Sequence, residues 1–388
     1  MNIPLDIMVK VAVRTPDVFM SVAGETLRCK TARWLDVRMG GGRALMPPRY
    51  IDIKMTNRCN LRCKMCGQWG EQGTFRNASP DVLREELSLE ELRELADQVA
   101  SFRPMFYLWG GEPFLYGDLI PFMRYLKSRR LMCAINTNGT RLLETAEELV
   151  AAGSVANILI SVDGPREVHD AVRGVEGTYE KVMAGVRRIQ DEKRSTGRTK
   201  PYLTFVTTVN VDNAREFPEV YEIAAREGID FVGLQFGTFT TRETGPAYEA
   251  RMRRCLDCEA TSWGGFLSYD TELDIAAVQD GVRRLRGARH PFGTYFVPDL
   301  QPEDIPGYYA GTKPLEGHNS CVVPWMRADI LPNGDVYPCI DFPDYIVGNI
   351  RETSLMELWN GPRYVAFRRE LQRGLLPICG RCQTLYEF

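Results

Sequence analysis

Three cysteines, Cys59, Cys63 and Cys66, fall within eight positions of one another, just after an apolar-alternating run from Ile51 to Met55. This C-x3-C-x2-C spacing constrains the chain more than any other feature. Three thiolates so placed can bind three corners of a cubic iron–sulfur cluster, and without a fourth protein ligand one iron stays open. A structural zinc site is the alternative. Zinc wants a fourth ligand nearby, and the chain holds only three histidines.

On this motif the chain resembles the radical S-adenosylmethionine (SAM) enzymes, and among them the group with a C-terminal SPASM or "twitch" extension. The resemblance implies that the amino and carboxylate groups of SAM take the open iron. It also implies that an electron from the reduced cluster splits SAM into methionine and a 5'-deoxyadenosyl radical. The residue before the third cysteine is usually aromatic in the family. Here it is Met65, whose flexible thioether can make the same apolar contact to adenine.

Composition narrows the partners. With 48 Lys and Arg against 51 Asp and Glu, the formal charge of −3 gives no electrostatic reason to expect nucleic acid or an anionic membrane. No apolar run reaches the ~18 residues of a membrane span, and no signal-peptide pattern opens the chain, so a cytoplasmic protein is expected. Eleven cysteines in such a protein fit clusters better than disulfides.

From about 50 to 240 apolar strands recur at 50–56, 105–109, 132–137, 158–162, 202–209 and 230–236, with helical patterns between them. Ser88 with Glu91 has capping-box spacing and opens the first of those helices. Strands alternating with helices predict a parallel α/β sheet. The six units match the partial (β/α)6 TIM-like barrel of the resembled family, followed by a small cysteine-bearing SPASM/twitch domain. The expected organisation is a leader at 1–49, the barrel at 50–240, an insert or linker at 241–320 that contributes to the substrate pocket, and the cluster domain at 321–388.

In parallel α/β folds ligands gather at the C-terminal strand ends. There the second strand runs into GGEP, Gly110, Gly111, Glu112 and Pro113. The glycines permit close backbone approach, and Glu112 can accept from an ammonium; in the family the matching motif holds the amino group of SAM. Asn136 ends the third strand and is placed to face the barrel. Ser161 and Asp163 end the fourth, and the resemblance gives Ser161 to the methionyl or ribose region of SAM. Asp163 reads equally as a ribose ligand or as a cap for the next helix. Arg173 suits the SAM carboxylate through its bidentate fork. Thr208 and Gln235, at the ends of strands five and six, complete the cofactor set.

The tail carries Cys321, Cys339, Cys379 and Cys382. PNGD between the first pair reads as a hairpin turn, and a helix joins that pair to the CxxC. Four thiolates can saturate a second [4Fe–4S] cluster, with a zinc knuckle as the alternative. A full SPASM tail has seven cysteines, so the tail resembles the short single-cluster form. Cys255 and Cys258 form a further CxxC in the insert and are read as structural, as part of the auxiliary site, or as a hydrogen donor to substrate.

The expected activity is that of a radical SAM oxidoreductase acting on a small polar, sugar- or cyclitol-like substrate, with the tail cluster accepting an electron in a dehydrogenation. The alternatives are an epimerase using a cysteine donor, a maturase of a ribosomally made peptide, and a non-catalytic iron–sulfur electron carrier. A reducing partner such as flavodoxin or ferredoxin is implied.

Overall fold

The computed structural model describes residues 36–37, 40–269, 273–310 and 313–386. Most of the expected leader, 1–49, lies outside the described residues. Strand β1 (Tyr50–Lys54) runs into the cysteine loop. It is followed by α1 (Pro80–Arg84), α2 (Leu89–Val99), β2 (Met105–Trp109), α3 (Leu119–Ser128), β3 (Met132–Thr137) and α4 (Leu142–Ala152). Then come β4 (Val155–Ser161), α5 (Arg166–Arg173), α6 (Thr178–Thr196), β5 (Tyr202–Thr208), α7 (Glu219–Arg226) and β6 (Phe231–Gln235). The next stretch holds α8 (Thr244–Leu256), α9 (Ile275–Gly287), β7 (Gly293–Val297) and α10 (Ile305–Ala310). The tail adds β8 (Arg327–Ile330), β9 (Asp335–Tyr337), β10 (Gly348–Asn349), α11 (Leu355–Trp359) and α12 (Pro362–Arg373).

These strands form one mixed sheet of 10 strands in the order β10-β9-β8-β1-β2-β3-β4-β5-β6-β7. From β1 to β7 every neighbouring pair is parallel. The sheet therefore extends beyond the six expected strands at both edges. GTYFV, expected to be linker, is strand β7 and pairs with β6. It is an edge strand whose residues are mostly only half-buried, so it lacks the continuous apolar run of a strand covered on both faces. At the other edge β8 of the tail joins β1 in parallel, Tyr50 opposite Arg327, and β9 returns antiparallel through the predicted PNGD turn. The Arg327 guanidinium pairs with the buried Asp52 carboxylate across that seam.

Local sequence explains the helix boundaries near the site. The Ser88 hydroxyl accepts from the Glu91 N–H at 3.3 Å and the Glu91 carboxylate accepts from the Ser88 N–H at 2.7 Å, the reciprocal capping box that starts α2. Leu92, Leu95 and Val99 of α2 then pack in one core with Ile51, Ile53, Phe106 and Leu108 of the sheet. Because side chains alternate along a strand, the helix-facing set leaves a second set on the opposite, inner face. Asp52 and Lys54 of β1 belong to that second set, as do Trp109, Asn136, Ser161, Thr208 and Gln235.

Candidate active site at the strand ends

The cysteine loop follows β1 directly and is gripped by backbone from two neighbours. Gly111 N–H donates to the Thr56 carbonyl at 2.9 Å, and Glu112 N–H to the Arg58 carbonyl at 2.8 Å. A Cβ on Gly111 would stand 2.0 Å from the Arg58 oxygen, so only glycine lets the two segments meet. On the other side Lys64 N–H donates to the Val172 carbonyl at 3.2 Å. A Cβ on Gly174, where φ is +72°, would stand 2.8 Å from the Arg62 carbonyl oxygen. Trp69 ties the loop back on itself, its indole donating to the Asn57 carbonyl at 3.2 Å.

The thiols sit among polar partners. Arg173 Nη1 lies 3.7 Å from Cys63 Sγ, Leu61 N–H lies 3.4 Å from Cys59 Sγ, and Asn138 Nδ2 reaches the same sulfur at 4.0 Å. Burial is the largest influence on both sulfurs, raising Cys59 to about 12 and Cys63 to about 11; the neighbouring thiols add to the rise, and Arg173 opposes it at Cys63. A cation that stabilises thiolate is what such a group lacks, and the iron of a cluster supplies it.

Glu112 is completely buried and fully engaged. Its carboxylate accepts from Phe114 N–H at 3.1 Å, from the Thr137 hydroxyl at 2.7 Å and from Asn138 N–H at 2.8 Å. Burial pushes its pKa up to about 7 against the pull of those donors. The carboxylate that the sequence suggested for the SAM ammonium is therefore also a strut between the β2 and β3 loops. Asn138, which reads in the sequence as a turn residue, extends that strut: its Nδ2 donates to Asn60 Oδ1 at 2.9 Å, within the cysteine loop. No sequence signal beyond the NTNG turn could have found this role.

Asp163 is not a helix cap: the residue preceding α5 is Pro165, and no side chain caps it. Instead the Asp163 carboxylate pairs with Arg173 Nη2 at 2.7 Å and accepts from Thr208 N–H at 3.2 Å. Arg173, proposed from the sequence for the SAM carboxylate, thus already bridges Asp163 and Cys63. His169 is sealed beneath them. Its Nδ1 accepts from Asp163 N–H at 3.3 Å, and burial and then the Arg173 charge lower its pKa to about 3, so the ring is neutral.

The remaining predicted cofactor residues lie at the strand ends. Asn136 is the penultimate residue of β3, while Ser161, Thr208 and Gln235 are the last residues of β4, β5 and β6. Thr208 and Gln235 are direct register partners. Pro113 is buried in the turn after Glu112, and Met65 stands half-buried in the cysteine loop.

In the tail, burial pushes Cys339 and Cys382 well above the ordinary thiol range, with Asp341 next and the neighbouring thiols after it; burial and then Cys321 push Cys379 to about 12. The four thiols therefore share one neighbourhood. Asp341 accepts from Cys382 Sγ and from the Thr384 hydroxyl, both at 2.9 Å. Cys255 and Cys258 point elsewhere: Cys258 Sγ donates to the Asp344 carbonyl at 3.4 Å, and Cys255 hydrogen-bonds Glu370 of α12. Among the described residues, no three Cys, His, Asp or Glu side chains converge on one point as for a single metal ion. Sulfurs that hold a cubic cluster bind separate irons and need no common point.

Residues 53–224 match the radical SAM superfamily, and residues 321–383 match its iron–sulfur cluster-binding SPASM domain. The chain is 30% identical over 349 residues to the pre-heme d1 synthase of Dinoroseobacter shibae, covering 87% of this chain and 78% of that one. The chain belongs to the radical SAM superfamily and carries a SPASM domain. It is also 33% identical over 351 residues to the Fe-coproporphyrin III synthase of Methanosarcina barkeri, covering 85% of this chain and 79% of the relative. The fold resembles that of Streptococcus suis SuiB bound to S-adenosylmethionine, with a TM-score of 0.57 and 15% identity over 91% of this chain and 72% of that one. This radical SAM enzyme uses SAM and two iron–sulfur clusters, one SAM-binding and one in the tail. The sulfur-only donor sets of the cysteine loop and the tail fit those clusters. No helix among the described residues is long and apolar enough to cross a membrane.

Proposed function

We propose that this radical SAM enzyme is an oxidoreductase that remodels a carboxylate-bearing iron tetrapyrrole. The observation that carries this reading is the likeness to Fe-coproporphyrin III synthase, 33% identical across 85% of the chain. The pre-heme d1 synthase, at 30% identity, points to the same substrate class. Sugar or cyclitol oxidation has less support, and maturation of a peptide is the competing reading.

The register supports a substrate held between the two thiol groups. Cys59, Cys63 and Cys66 follow the C-terminal end of β1, whereas Cys339 follows β9 as that strand returns toward the level where β1 begins. When bound, the clusters and SAM supply one-electron chemistry: hydrogen-atom abstraction at the strand ends and an electron acceptor at the tail. The chain's own part is to hold the cysteine loop through Gly111 and Glu112, to keep Arg173 charged beside Cys63, and to orient the substrate along the inner face. Epimerisation needs a donor thiol turned toward the substrate; the contacts of Cys255 and Cys258 run instead to Glu370 and Asp344.

The test is anaerobic reconstitution followed by SAM, a reductant (dithionite or flavodoxin) and candidate substrates. Iron coproporphyrin-type tetrapyrroles should stimulate release of 5'-deoxyadenosine and lose mass from a side chain. Stimulation by a peptide and not by any tetrapyrrole would overturn the reading.

A further inference from the structure

Lys54, the last residue of β1, is only 3% exposed. Among the described residues its ammonium has no hydrogen bond and no carboxylate within ion-pair distance. Its one close partner is an aromatic face: Nζ stands 3.7 Å from the centre of the Phe75 ring, on the segment that follows the cysteine loop. A buried ammonium held only by a π face is costly, and its pKa accordingly falls to about 7, chiefly through burial, with Cys66 and Glu85 opposing from a distance.

Lys54 pairs in register with Trp109 of β2, so the two side chains leave the sheet side by side on its inner face. The Trp109 indole Nε1 is also buried and, among the described residues, has no hydrogen-bond partner. Two donor-bearing side chains therefore stand at paired register on one face, and among the described residues neither has an acceptor. Protein interiors rarely leave one such donor unmatched, let alone a neighbouring pair. The pair closes the β1–β2 ladder, with Trp109 directly before Gly110 and the GGEP turn and Lys54 at the entrance to the cysteine loop.

We propose that Lys54 and Trp109 form a carboxylate subsite that grips an aliphatic carboxylate arm of the substrate. One positive charge and one neutral N–H match a monoanion with two oxygens; a phosphate dianion would ask for more charge. The ammonium turns from the Phe75 ring to the carboxylate when the substrate arrives, and the ring becomes the apolar wall beside the methylene stem of that arm. The identity of the arm as a tetrapyrrole propionate rests on the proposed function; the subsite itself rests on the two unmatched donors.

SAM also carries a carboxylate, so the test separates the two sources. Reconstituted holoenzyme is titrated with SAM, with iron coproporphyrin III, and with the tetramethyl ester of that porphyrin. Wild type should bind the free acid more tightly than the ester; Lys54→Met should weaken the acid about tenfold or more and erase the preference, and Lys54→Arg should keep part of it. SAM affinity should not change. A Lys54→Met enzyme that binds the acid like wild type overturns the subsite while leaving the proposed function intact. Loss of SAM affinity in that variant overturns it in favour of the cofactor. Thermal stability guards against a merely structural role, because removing an unpaired buried charge should leave the melting temperature unchanged or raised. If wild type binds neither porphyrin, the tetrapyrrole reading falls and sodium propionate decides the subsite. A saturable change in tryptophan emission, absent in Trp109→Phe and weakened in Lys54→Met, sustains it; no saturable change in wild type overturns it.

Discussion

The guanidinium of Arg173 bridges two elements of the site, standing 3.7 Å from the Cys63 sulfur through Nη1 and 2.7 Å from the Asp163 carboxylate through Nη2. It joins the end of α5 to the cysteine loop on one side and to the β4 terminus on the other. Both partners of the ion pair are nearly or fully buried, so the pair is sensitive to removal of either half.

Arg173→Met should therefore destabilise the fold by about 3–5 kcal/mol, because it leaves Asp163 charged and unpaired in the interior. The double variant Arg173→Met/Asp163→Asn should recover much of that loss. Denaturant unfolding of the three proteins checks the prediction, and equal losses in the single and double variants would show that the pair is not the cause.

Gly111 meets the Arg58 carbonyl where a Cβ would stand 2.0 Å away, and both groups are backbone, so neither can swing aside. Gly111→Ala should push the cysteine loop out of register while sparing the tail. Iron per chain after reconstitution should fall from about eight to about four, with loss of 5'-deoxyadenosine release. Retention of all the iron would sink this account of the glycine.

His169 links the site to pH. Its folded pKa lies near 3 against an ordinary 6.5, so between those values the unfolded chain binds the extra proton. The contribution to stability is complete above about pH 6.5 and is lost progressively as pH falls toward about 3. His169→Phe should lower stability throughout, since the Asp163 N–H loses its acceptor, yet it should flatten the decline on acidification. Melting temperatures of both proteins at several pH values below neutrality test this; parallel curves would refute it.

Much of this was legible in the chain. The capping box at Ser88 and Glu91 and the PNGD hairpin both depend on contacts within a few residues, where local pattern decides. Strand β7 was not legible, because an edge strand needs no continuous apolar run and the prolines after it read as loop. Helix α5 leaves little local signal for a related reason: it is short, polar on most sides, and buries His169, Val172 and Arg173 rather than an apolar stripe. The structural contacts of Glu112 and Asp163 were also hidden. Their partners, Thr137, Asn138, Thr208 and Arg173, come from other loops, and nothing in a single segment reports such pairings.

The cysteine motif and its tail counterpart show where the division falls. Sequence alone determined which thiols are on offer to the clusters, since cysteine spacing within a short loop is a local property. The tertiary structure decided what surrounds those sulfurs. Parallel register set Lys54 beside Trp109, brought Arg327 of the tail against Asp52, and aimed Arg173 at Cys63. Register is fixed by how whole strands and helices pack, and it brings together residues whose proximity no local pattern encodes.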